Sequence, residues 1–472
     1  MGSEDRATPA IQHRTAATRE KRAGAIAAYA GTAGRLALEA AGSALAPRVR
    51  TFAQDATNDL QRALELLRTI EGLGIVVHGP AGCAGTLHGD GPAAPWAVTG
   101  LDQRDSIMGG DGRLREAIRR LHAQRGPRAI VVLGTPVVAI NGDELQTVTD
   151  ELSEELGIPI APILTDGFRS RIGATGHDVA VHGLLKHLLP QRQAAAASRV
   201  NLLAVAEGAE EVQGLRRLLL EAGIESRTFP RGASVEGLRE IVNAVLSVSV
   251  DPDESEYAGQ ALRQLRGVPY LSPPAPIGAA GTAAWLAAVG EAMGLDVSEV
   301  AARQGARLAG AVARLAPHAG ARVFVSLPAA QAFAVAGLVR ELGLSVAGIG
   351  VPSIGPAHAG ALRAVAAADP GIPVLVGEGQ AFEEVNLLRT LGAELLVSRG
   401  TAPLHALRLG VPVLDLASVP VLGFDGLEGF AEAARRRLAN PALARFFAGG
   451  REPYLPGWLS KSTHWFIKHE VK

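Results

Sequence analysis

The chain has 472 residues, of which 47% are hydrophobic, and its 46 basic side chains nearly balance its 47 acidic ones. Chains of this length usually form about two to four domains, and a balanced charge gives no reason to expect nucleic acid or an anionic membrane as a partner. No apolar run is long enough to span a bilayer and the first residues lack the apolar stretch of a secretory signal, so we predict a cytoplasmic protein without membrane attachment. The single cysteine, Cys83, excludes an internal disulfide and any metal site built from several thiolates of this chain.

Residues 1–50 are rich in Ala, Arg and Glu and predict a helical N-terminal extension, with a helix between Ala16 and Ala46. From residue 51 onwards, short apolar runs alternate with helical patterns, which is typical of parallel sheets flanked by helices. The sequence therefore predicts the α/β class, with three doubly wound parallel-sheet (Rossmann-like) domains after the extension. These domains are predicted at 51–195, at 200–275 together with part of the C-terminal region, and at 276–445, with a C-terminal arm at 446–472. The predicted strands are Gly74–Val77, Ala129–Leu133, Ile158–Leu164, Val200–Val205, Arg322–Leu327, Ser345–Ile349, Pro373–Val376 and Glu394–Val397.

Four joints between a helix and the next strand share the pattern glycine, aliphatic residue, proline, apolar residue. Glycine often ends a helix, because it adopts the left-handed backbone conformation that other residues avoid. We therefore predict that Gly157, Gly267, Gly371 and Gly410 each cap a helix.

Cys83 is in a loop of small residues, Gly79–Gly85, directly after a predicted strand. Small residues let a bulky object approach the backbone closely. Thiolates, together with backbone N–H groups in glycine-rich turns, are typical surroundings of iron-sulfur clusters. One interpretation of this loop is therefore that Cys83 is a metal ligand and that Gly82 and Gly85 lie beside the cofactor.

Residue types and spacing alone leave two other interpretations of Cys83. One is a small hydrophobic side chain in the core, which is where free cysteines are often found. The other is a catalytic thiol paired with His78 or His88. Spacing does not decide between these three.

The run from Arg50 to Leu189 resembles the N-terminal part of the nitrogenase component 1 family. His78–Cys83 reads His-Gly-Pro-Ala-Gly-Cys and matches the family's motif His-Gly-Pro-x-Gly-Cys, which follows a strand. Together with the segments that follow, the resemblance covers most of residues 50–445. The further matching segments are Val98–Gly110, Asn141–Glu144, Thr165–Arg169, Pro276–Leu286, Gly392–Pro412 and Phe424–Gly426.

The departures from the family pattern imply a β-type subunit. Catalytic α-type subunits would be expected to have further cysteines at the places of Asp55 and of Thr135-Pro136. The resemblance thus implies that Cys83 ligates an iron-sulfur cluster shared with a partner subunit. Asp55 is a second candidate ligand, because light-independent protochlorophyllide reductase is known to use an aspartate of its β-type chain; a solvated or helix-capping Asp55 is the alternative.

The resemblance also implies what the partners hold and do. In the family, a large active-site metallocluster is held by a cysteine of the middle domain and a histidine near the C-terminus, so we expect that cofactor in the partner only. We predict an α2β2 heterotetramer with a homologous α-type subunit. An ATP-dependent iron protein would dock transiently and pass electrons through the Cys83 cluster to the partner's active site.

The specific reaction that we predict within the family is that of methylthio-alkane reductase, an oxidoreductase that cleaves carbon-sulfur bonds. Its basis is the His-Gly-Pro reading at His78–Pro80, which differs from several other β-type chains. No catalytic residue is predicted in this chain.

Two other functions stay open. A subunit of a scaffold that assembles a metallocluster suits a lone cysteine equally well. A two-domain glycosyltransferase needs no metal, and Gly400–Pro403 followed by Leu409–Val413 is similar to the donor-sugar site of such enzymes.

Asp143 and Glu144 come just before a predicted helix. Acidic side chains at this position usually cap the helix and interact with its dipole. We therefore predict a capping role for both, with acid-base chemistry as the alternative.

Overall fold

The structure is a computed structural model that describes residues 26, 29–41, 59–84, 94–165, 175–192, 197–399, 404–448, 455 and 457. The chain divides into two compact units. The first unit consists mainly of Asn58–Pro190, and the second mainly of Gln191–Gly259 and Gly267–Lys472. The described strands are, in chain order, β1 (Tyr29–Thr32), β2 (Leu73–His78), β3 (Trp96–Val98), β4 (Ala129–Gly134), β5 (Ile160–Leu164), β6 (Ala197–Ala204), β7 (Ser226–Pro230), β8 (Ala244–Ser249), β9 (Tyr270–Leu271), β10 (Arg322–Ser326), β11 (Ser345–Val351), β12 (Pro373–Val376), β13 (Leu395–Ser398) and β14 (Val413–Asp415).

The first unit contains a four-stranded parallel sheet in the order β3-β2-β4-β5. Every residue of β2 and β4 is buried, as expected for central strands covered by helices on both faces. Because the strands are parallel, their carboxyl ends lie along one edge of the sheet. The helices of this unit are Asp59–Leu67, Ala81–Ala84, Gln103–Met108, Asp111–Arg125, Pro136–Asn141, Leu145–Leu156 and Gly176–Gly183, which continues as the π-helical turn Leu184–Leu188.

The second unit contains two sheets. One is a four-stranded parallel sheet in the order β7-β6-β8-β9. The other has the order β1-β12-β11-β10-β13-β14, and all its neighbours are parallel except β1 and β12. The helices of the second unit are Ala33–Ala41, Ala209–Glu221, Val235–Glu240, Gly278–Met293, Ser298–Gly305, Arg307–Leu315, Ala329–Glu341, Ala359–Ala368, Ala381–Thr390, Leu404–Arg408, Gly423–Ala439 and Ala442–Phe447. The helix Pro252–Arg266 is shared by both units.

The predicted α/β class is confirmed, with three sheets that are parallel except at the pair of β1 and β12, and a strand occurs at each of the predicted strand positions. No helix in the described part of the chain combines the length and apolar character needed to cross a bilayer. Most of the predicted C-terminal arm lies outside the described residues.

The predicted helix between Ala16 and Ala46 is wrong at Tyr29–Thr32, which forms strand β1. This strand pairs antiparallel with β12, whose edge would otherwise present unpaired backbone N–H and C=O groups. Gly31 and Thr32 are poor helix formers, so pairing with the sheet outweighs the helical tendency of the neighbouring alanines. The helix then begins at Ala33 and ends at Ala41. The other residues of the predicted helix, apart from Ile26, lie outside the described residues.

The prediction of glycine caps is confirmed at three positions and wrong at the fourth. Gly157, Gly267 and Gly410 have φ angles of 69°, 68° and 78°, in the left-handed region. Gly371 has no positive φ, because its helix already ends at Ala368 and Asp369 is extended. Pro370 explains the early end, since the residue before a proline avoids the helical conformation.

Replacing Gly410 with alanine should lower the free energy of unfolding by about 1 to 2 kcal/mol, because a residue with a Cβ atom is strained in the left-handed region. A Cβ atom there would meet only Ala448, at an ordinary 3.6 Å, so backbone strain accounts for the loss. Gly371→Ala is the matched control before a strand of the same sheet and should cost clearly less. Urea unfolding followed by circular dichroism measures both, and equal losses would contradict the assigned conformations.

Candidate functional site

The cysteine loop begins where β2 ends, at the carboxyl edge of the first unit's sheet. Cys83 lies in the short helix Ala81–Ala84, and its backbone N–H donates to the Pro80 carbonyl oxygen at 3.0 Å. The Gly79 carbonyl oxygen accepts the N–H of Leu101 at 3.1 Å, which holds the start of the loop against the segment after β3. Cys83 is a free thiol of intermediate exposure, and a Cβ atom on Gly82 would meet no atom of the described residues within 4 Å. The loop is thus anchored on the sheet side, and none of the described residues fills the space beside Gly82.

Polar side chains follow each strand of this sheet. His78 is the last residue of β2, and Thr99, Thr135 and Thr165 come directly after β3, β4 and β5. All four side chains are buried or nearly so. Their hydrogen bonds therefore have to be made within the protein.

The imidazole of His78 is wholly buried and lies between two partners. Its Nδ1 is 3.1 Å from the hydroxyl oxygen of Thr99, and its Nε2 is 3.5 Å from Oδ2 of Asp143. The Asp143 side chain is itself only 9% exposed. A histidine at the end of β2 is thereby connected to an acid in the turn before the helix Leu145–Leu156.

Thr99 joins this histidine to the start of the cysteine loop. Its hydroxyl oxygen accepts the N–H of Gly79 at 2.9 Å and lies 3.3 Å from the carbonyl oxygen of the same residue. Only glycine fits at position 79, because a Cβ atom there would be 2.2 Å from the Thr135 hydroxyl oxygen. The backbone of the loop and the His78 ring are therefore held by the same threonine.

Gly110 makes room for the His78 ring. A Cβ atom on Gly110 would lie 2.8 Å from Cε1 of the imidazole and 2.9 Å from a methyl carbon of Leu101. Real Cβ atoms almost never approach other heavy atoms so closely, so a side chain here would displace the ring. This contact explains why a glycine precedes the helix Asp111–Arg125.

Burial lowers the pKa of His78, and the carboxylate of Asp143 opposes that shift without cancelling it. His78 is therefore neutral at neutral pH. An ionised Asp143 favours the tautomer with the proton on Nε2, because Nε2–H then faces the carboxylate. Nδ1 is left to accept the hydroxyl proton of Thr99.

The predicted helix-capping role is confirmed for Glu144 and wrong for Asp143. Glu144 is the N-cap of the helix Leu145–Leu156, and its Oε1 accepts the N–H of Gln146 at 3.0 Å, so its capping role is confirmed. The prediction is wrong for Asp143, which faces His78 instead. A buried imidazole within reach outweighs the helix dipole, which acts more weakly near solvent.

The structure also bears on the alternatives for Cys83. The side chain is of intermediate exposure, so a place in the core of this chain is wrong. His78 directs its two ring nitrogens at Thr99 and Asp143, which leaves neither for a thiol. His88, Gly85 and Asp55 lie outside the described residues.

Sequence reasoning did not identify His78, Thr99, Gly110 and Asp143 as one group. Each of them belongs to a segment singled out for its family resemblance: His78–Cys83, Val98–Gly110 and Asn141–Glu144. The signal that could have grouped them is their place after parallel strands. His78 ends β2, Thr99 and Gly110 come after β3, and Asp143 comes after β4 and one short helix. The carboxyl ends of these strands meet at one edge of the sheet.

A second group of buried polar side chains lies in the second unit, where β6 and β8 end. Glu207 is fully buried, and its Oε2 accepts the N–H groups of Val205 at 2.6 Å and Ala206 at 3.0 Å. Asp251 is also buried, and its Oδ2 accepts from the Gln331 side-chain amide at 2.8 Å. The end of the four-stranded sheet is thereby bonded to the helix Ala329–Glu341.

Asp253 continues this connection. Its Oδ2 accepts the N–H of Ala330 at 2.7 Å, and its Oδ1 lies 2.7 Å from Nε2 of His358. Because Nδ1 of His358 accepts the N–H of Gly355 at 2.8 Å, the ring proton is on Nε2 and is donated to Asp253. Two neighbouring acids thus link the two sheets of the second unit.

Burial raises the pKa of Asp251 well above its usual range, and the nearby carboxylates of Asp253, Glu207 and Glu254 raise it further. Burial likewise raises the pKa of Glu207. These strand ends therefore hold carboxyl groups, and the chain's only thiol is in the other unit.

Comparison with known proteins gives a match over most of the chain. The family model described as "Nitrogenase component 1 type Oxidoreductase" matches residues 63–439. This stretch includes both segments that resemble a glycosyltransferase donor site, so that alternative is not favoured. It also includes the cysteine loop and the residues around His78.

Individual relatives agree with the family match. The nitrogenase iron-molybdenum cofactor biosynthesis protein NifE of Nostoc sp. (strain PCC 7120) is 24% identical over 395 residues, which cover 76% of this chain and 78% of that protein. One of the subunits of the light-independent protochlorophyllide reductase of Halorhodospira halophila is 30% identical over 326 residues, 65% of this chain and 60% of that protein. A solved structure titled "Nitrogenase Cp1 at pH 6.5" superposes with a TM-score of 0.71 at 18% identity, covering 85% of this chain and 96% of that one. This last likeness confirms the predicted fold.

Gly110→Ala should lower the free energy of unfolding by about 1 to 3 kcal/mol, as overpacking of a buried site usually does. Gly112→Ala is the matched control two residues further, where a Cβ atom would meet nothing within 4 Å. There, alanine should stabilise the helix Asp111–Arg125 by up to about 1 kcal/mol. Urea unfolding of both variants tests the packing of His78, and a stable Gly110→Ala variant would contradict it.

Asp251→Asn should make the protein more stable than the unmodified chain once the pH rises above the ordinary pKa of an aspartic acid. Below the pKa of the unfolded chain, Asp251 is protonated in both states and its contribution is fully present. As pH rises through the raised pKa of the folded state, that contribution is lost, by about 1.4 kcal/mol for each unit of elevation. Asparagine does not ionise and escapes this loss.

Thermal unfolding between pH 4 and pH 9 measures the effect. The advantage of Asp251→Asn over the unmodified chain should grow with pH. Asp296→Asn is the control, because the Ser298 N–H lowers the pKa of that exposed acid and gives a pH dependence of opposite sign. A difference between Asp251→Asn and the unmodified chain that stays constant with pH would show that Asp251 is ionised in the folded state.

Proposed function

The chain belongs to the family of nitrogenase component 1 type oxidoreductases, and we propose that it is a subunit of a two-component, nitrogenase-like reductase. In this proposal, Cys83 supplies one ligand of an iron-sulfur cluster that a second subunit completes. The observation that carries the proposal is a lone thiol in a glycine loop at the strand-end edge of the domain, where no described residue lies within 4 Å of a Cβ atom at the neighbouring Gly82. Members of the family bind iron-sulfur clusters, so a cofactor of this class is expected.

The residues around Cys83 fit such a cluster. The loop Gly79–Ala84 has only small side chains besides Cys83 itself, and a Cβ atom at Gly82 would contact none of the described residues. A cluster held by thiolates transfers single electrons at a potential that depends on nearby charges and hydrogen bonds. Since the chain has one cysteine, three further ligands have to come from elsewhere, with Asp55 as a candidate within this chain.

We further propose that the chain is the β-type subunit of an α2β2 complex. Proteins of this family form such complexes with an iron-protein partner. The ends of β6 and β8 hold Glu207 and Asp251 and no thiol, which supports placing any large active-site metallocluster in the partner only. Electrons would come from an ATP-dependent iron protein, pass the Cys83 cluster and reach the partner.

The proposed reaction is reductive cleavage of the carbon-sulfur bond of methylthio-alkanes. Two electrons and two protons split such a bond into a thiol and a hydrocarbon. The support is the His-Gly-Pro reading of the cysteine loop. Incubating the complex with its iron protein, ATP and a methylthio-alkane should release methanethiol; absence of thiol with an intact cluster would contradict this substrate class.

A scaffold that assembles a metallocluster is the second candidate, and the similarity to NifE favours it. The two functions differ in what leaves the complex. A scaffold should transfer its cluster to an added cofactor-free acceptor protein and lose iron in doing so. A reductase should keep its iron through many turnovers.

Cys83→Ala should remove the shared cluster from the complex co-purified under anaerobic conditions. The expected result is a loss of iron and of the cluster's visible and electron paramagnetic resonance signals, because one of its thiolate ligands is gone. Ala81→Ser changes an exposed residue of the same short helix and should leave iron and spectra unchanged. Unaltered iron content and spectra in Cys83→Ala would rule out this ligand.

A further inference from the structure

We propose that His78 takes up a proton when the cluster at Cys83 is reduced, and that Asp143 and Thr99 position it for this exchange. The inference rests on the proposed function, since it requires a redox centre at Cys83. It concerns a residue that would not ligate the metal, because both ring nitrogens of His78 already face protein groups.

The neutral ring of His78 has two unequal polar contacts. With the proton on Nε2 facing Asp143, Nδ1 accepts the hydroxyl proton of Thr99 across 3.1 Å. Thr99 in turn accepts the N–H of Gly79. At 3.5 Å, Nε2 and Oδ2 of Asp143 are too far apart for a good hydrogen bond, and both atoms are buried without another partner among the described residues. The neutral state therefore leaves a buried donor and a buried acceptor incompletely paired.

The protonated ring of His78 can be accommodated without moving the backbone. An imidazolium donates from Nδ1 to Thr99 and from Nε2 to Asp143. The Thr99 hydroxyl then turns its proton to the Gly79 carbonyl oxygen, which is 3.3 Å away. One hydroxyl rotation thus switches between the two states, and every group keeps a partner in the charged one.

Charged groups surround the His78 ring. Burial disfavours the imidazolium, whereas the carboxylates of Asp143, Asp111 and Asp105 favour it. Asp105 is partly neutralised by Arg113, 3.3 Å away. Burial and carboxylates oppose each other, so an added negative charge at the nearby loop shifts the balance towards protonation.

The exchange is balanced in charge and atoms. A bound cluster would take up one electron on reduction, supplied by the iron protein in the complex or by an electrode in the test. One proton from water would join Nδ1 of His78, and oxidation would return it. The cluster and its surroundings together keep the same net charge, which lowers the cost of placing an electron in a partly buried site.

The test is a redox titration of the cluster in the complete complex between pH 5 and pH 9. Within the window in which His78 titrates, the equilibrium constant for reduction should fall tenfold per pH unit, which is about 59 mV for a one-electron couple. His78→Asn should abolish this slope while the cluster remains. A cluster potential that is independent of pH in the unmodified complex, or a slope that persists in His78→Asn, overturns the proposal.

Asp143→Asn and Glu144→Gln form a matched pair of variants. Removing the Asp143 charge should shift the pH-dependent window to lower pH, because the imidazolium loses its nearest carboxylate. Glu144 caps the neighbouring helix and does not contact the ring, so Glu144→Gln should leave the window in place. Equal behaviour of the two variants contradicts the role of Asp143.

A titration that needs no cluster separates this proposal from the proposed function. In the chain alone, labelled with ¹⁵N-histidine, the His78 signal should titrate below pH 6.5 and move to lower pH in Asp143→Asn. A His78 titration that Asp143→Asn leaves unchanged overturns the pairing even if the complex contains a cluster. A complex without iron would instead contradict the proposed function.

Discussion

The buried ring of His78 is the contact on which the cysteine loop depends. It stands at the end of β2, packs against the open face of Gly110, and shares Thr99 with the backbone of Gly79. A side chain on either glycine would collide with its neighbours, so the path of the chain into the loop is narrowly set. The backbone that leads to Cys83 is therefore held in place on its sheet side, as the proposed role of a metal ligand would require.

The second unit uses its strand ends differently. Asp251 and Asp253 bond the end of β8 to Gln331, Ala330 and His358, and this joins the two sheets of that unit through hydrogen bonds between acids, an amide and an imidazole. A buried carboxyl group whose pKa burial raises is a stabilising partner only while it stays protonated or fully bonded. The same edge of an α/β sheet thus carries the cysteine loop in one unit and a network of structural hydrogen bonds in the other.

Much of the fold could be predicted from the sequence, because buried parallel strands are short apolar runs between helical segments. The strand Pro373–Val376 occurs where it was predicted. Strand β1 was missed, since its place is decided by pairing with β12, about 340 residues later, and not by local propensity. At the candidate site, Cys83 and its loop were recognisable from residue types, but the contact of His78 with Asp143 spans 65 positions and depends on the order of the strands.

The most direct test of the account is a structure of the complete complex in which anomalous scattering locates the iron. We expect an iron atom at bonding distance from the Cys83 sulfur, with the remaining ligands of that cluster contributed mainly by a second chain. His78 should lie beneath the same loop, with its nitrogens still directed at Thr99 and Asp143. Iron positions remote from Cys83, or a cluster ligated wholly by other chains, would contradict the account.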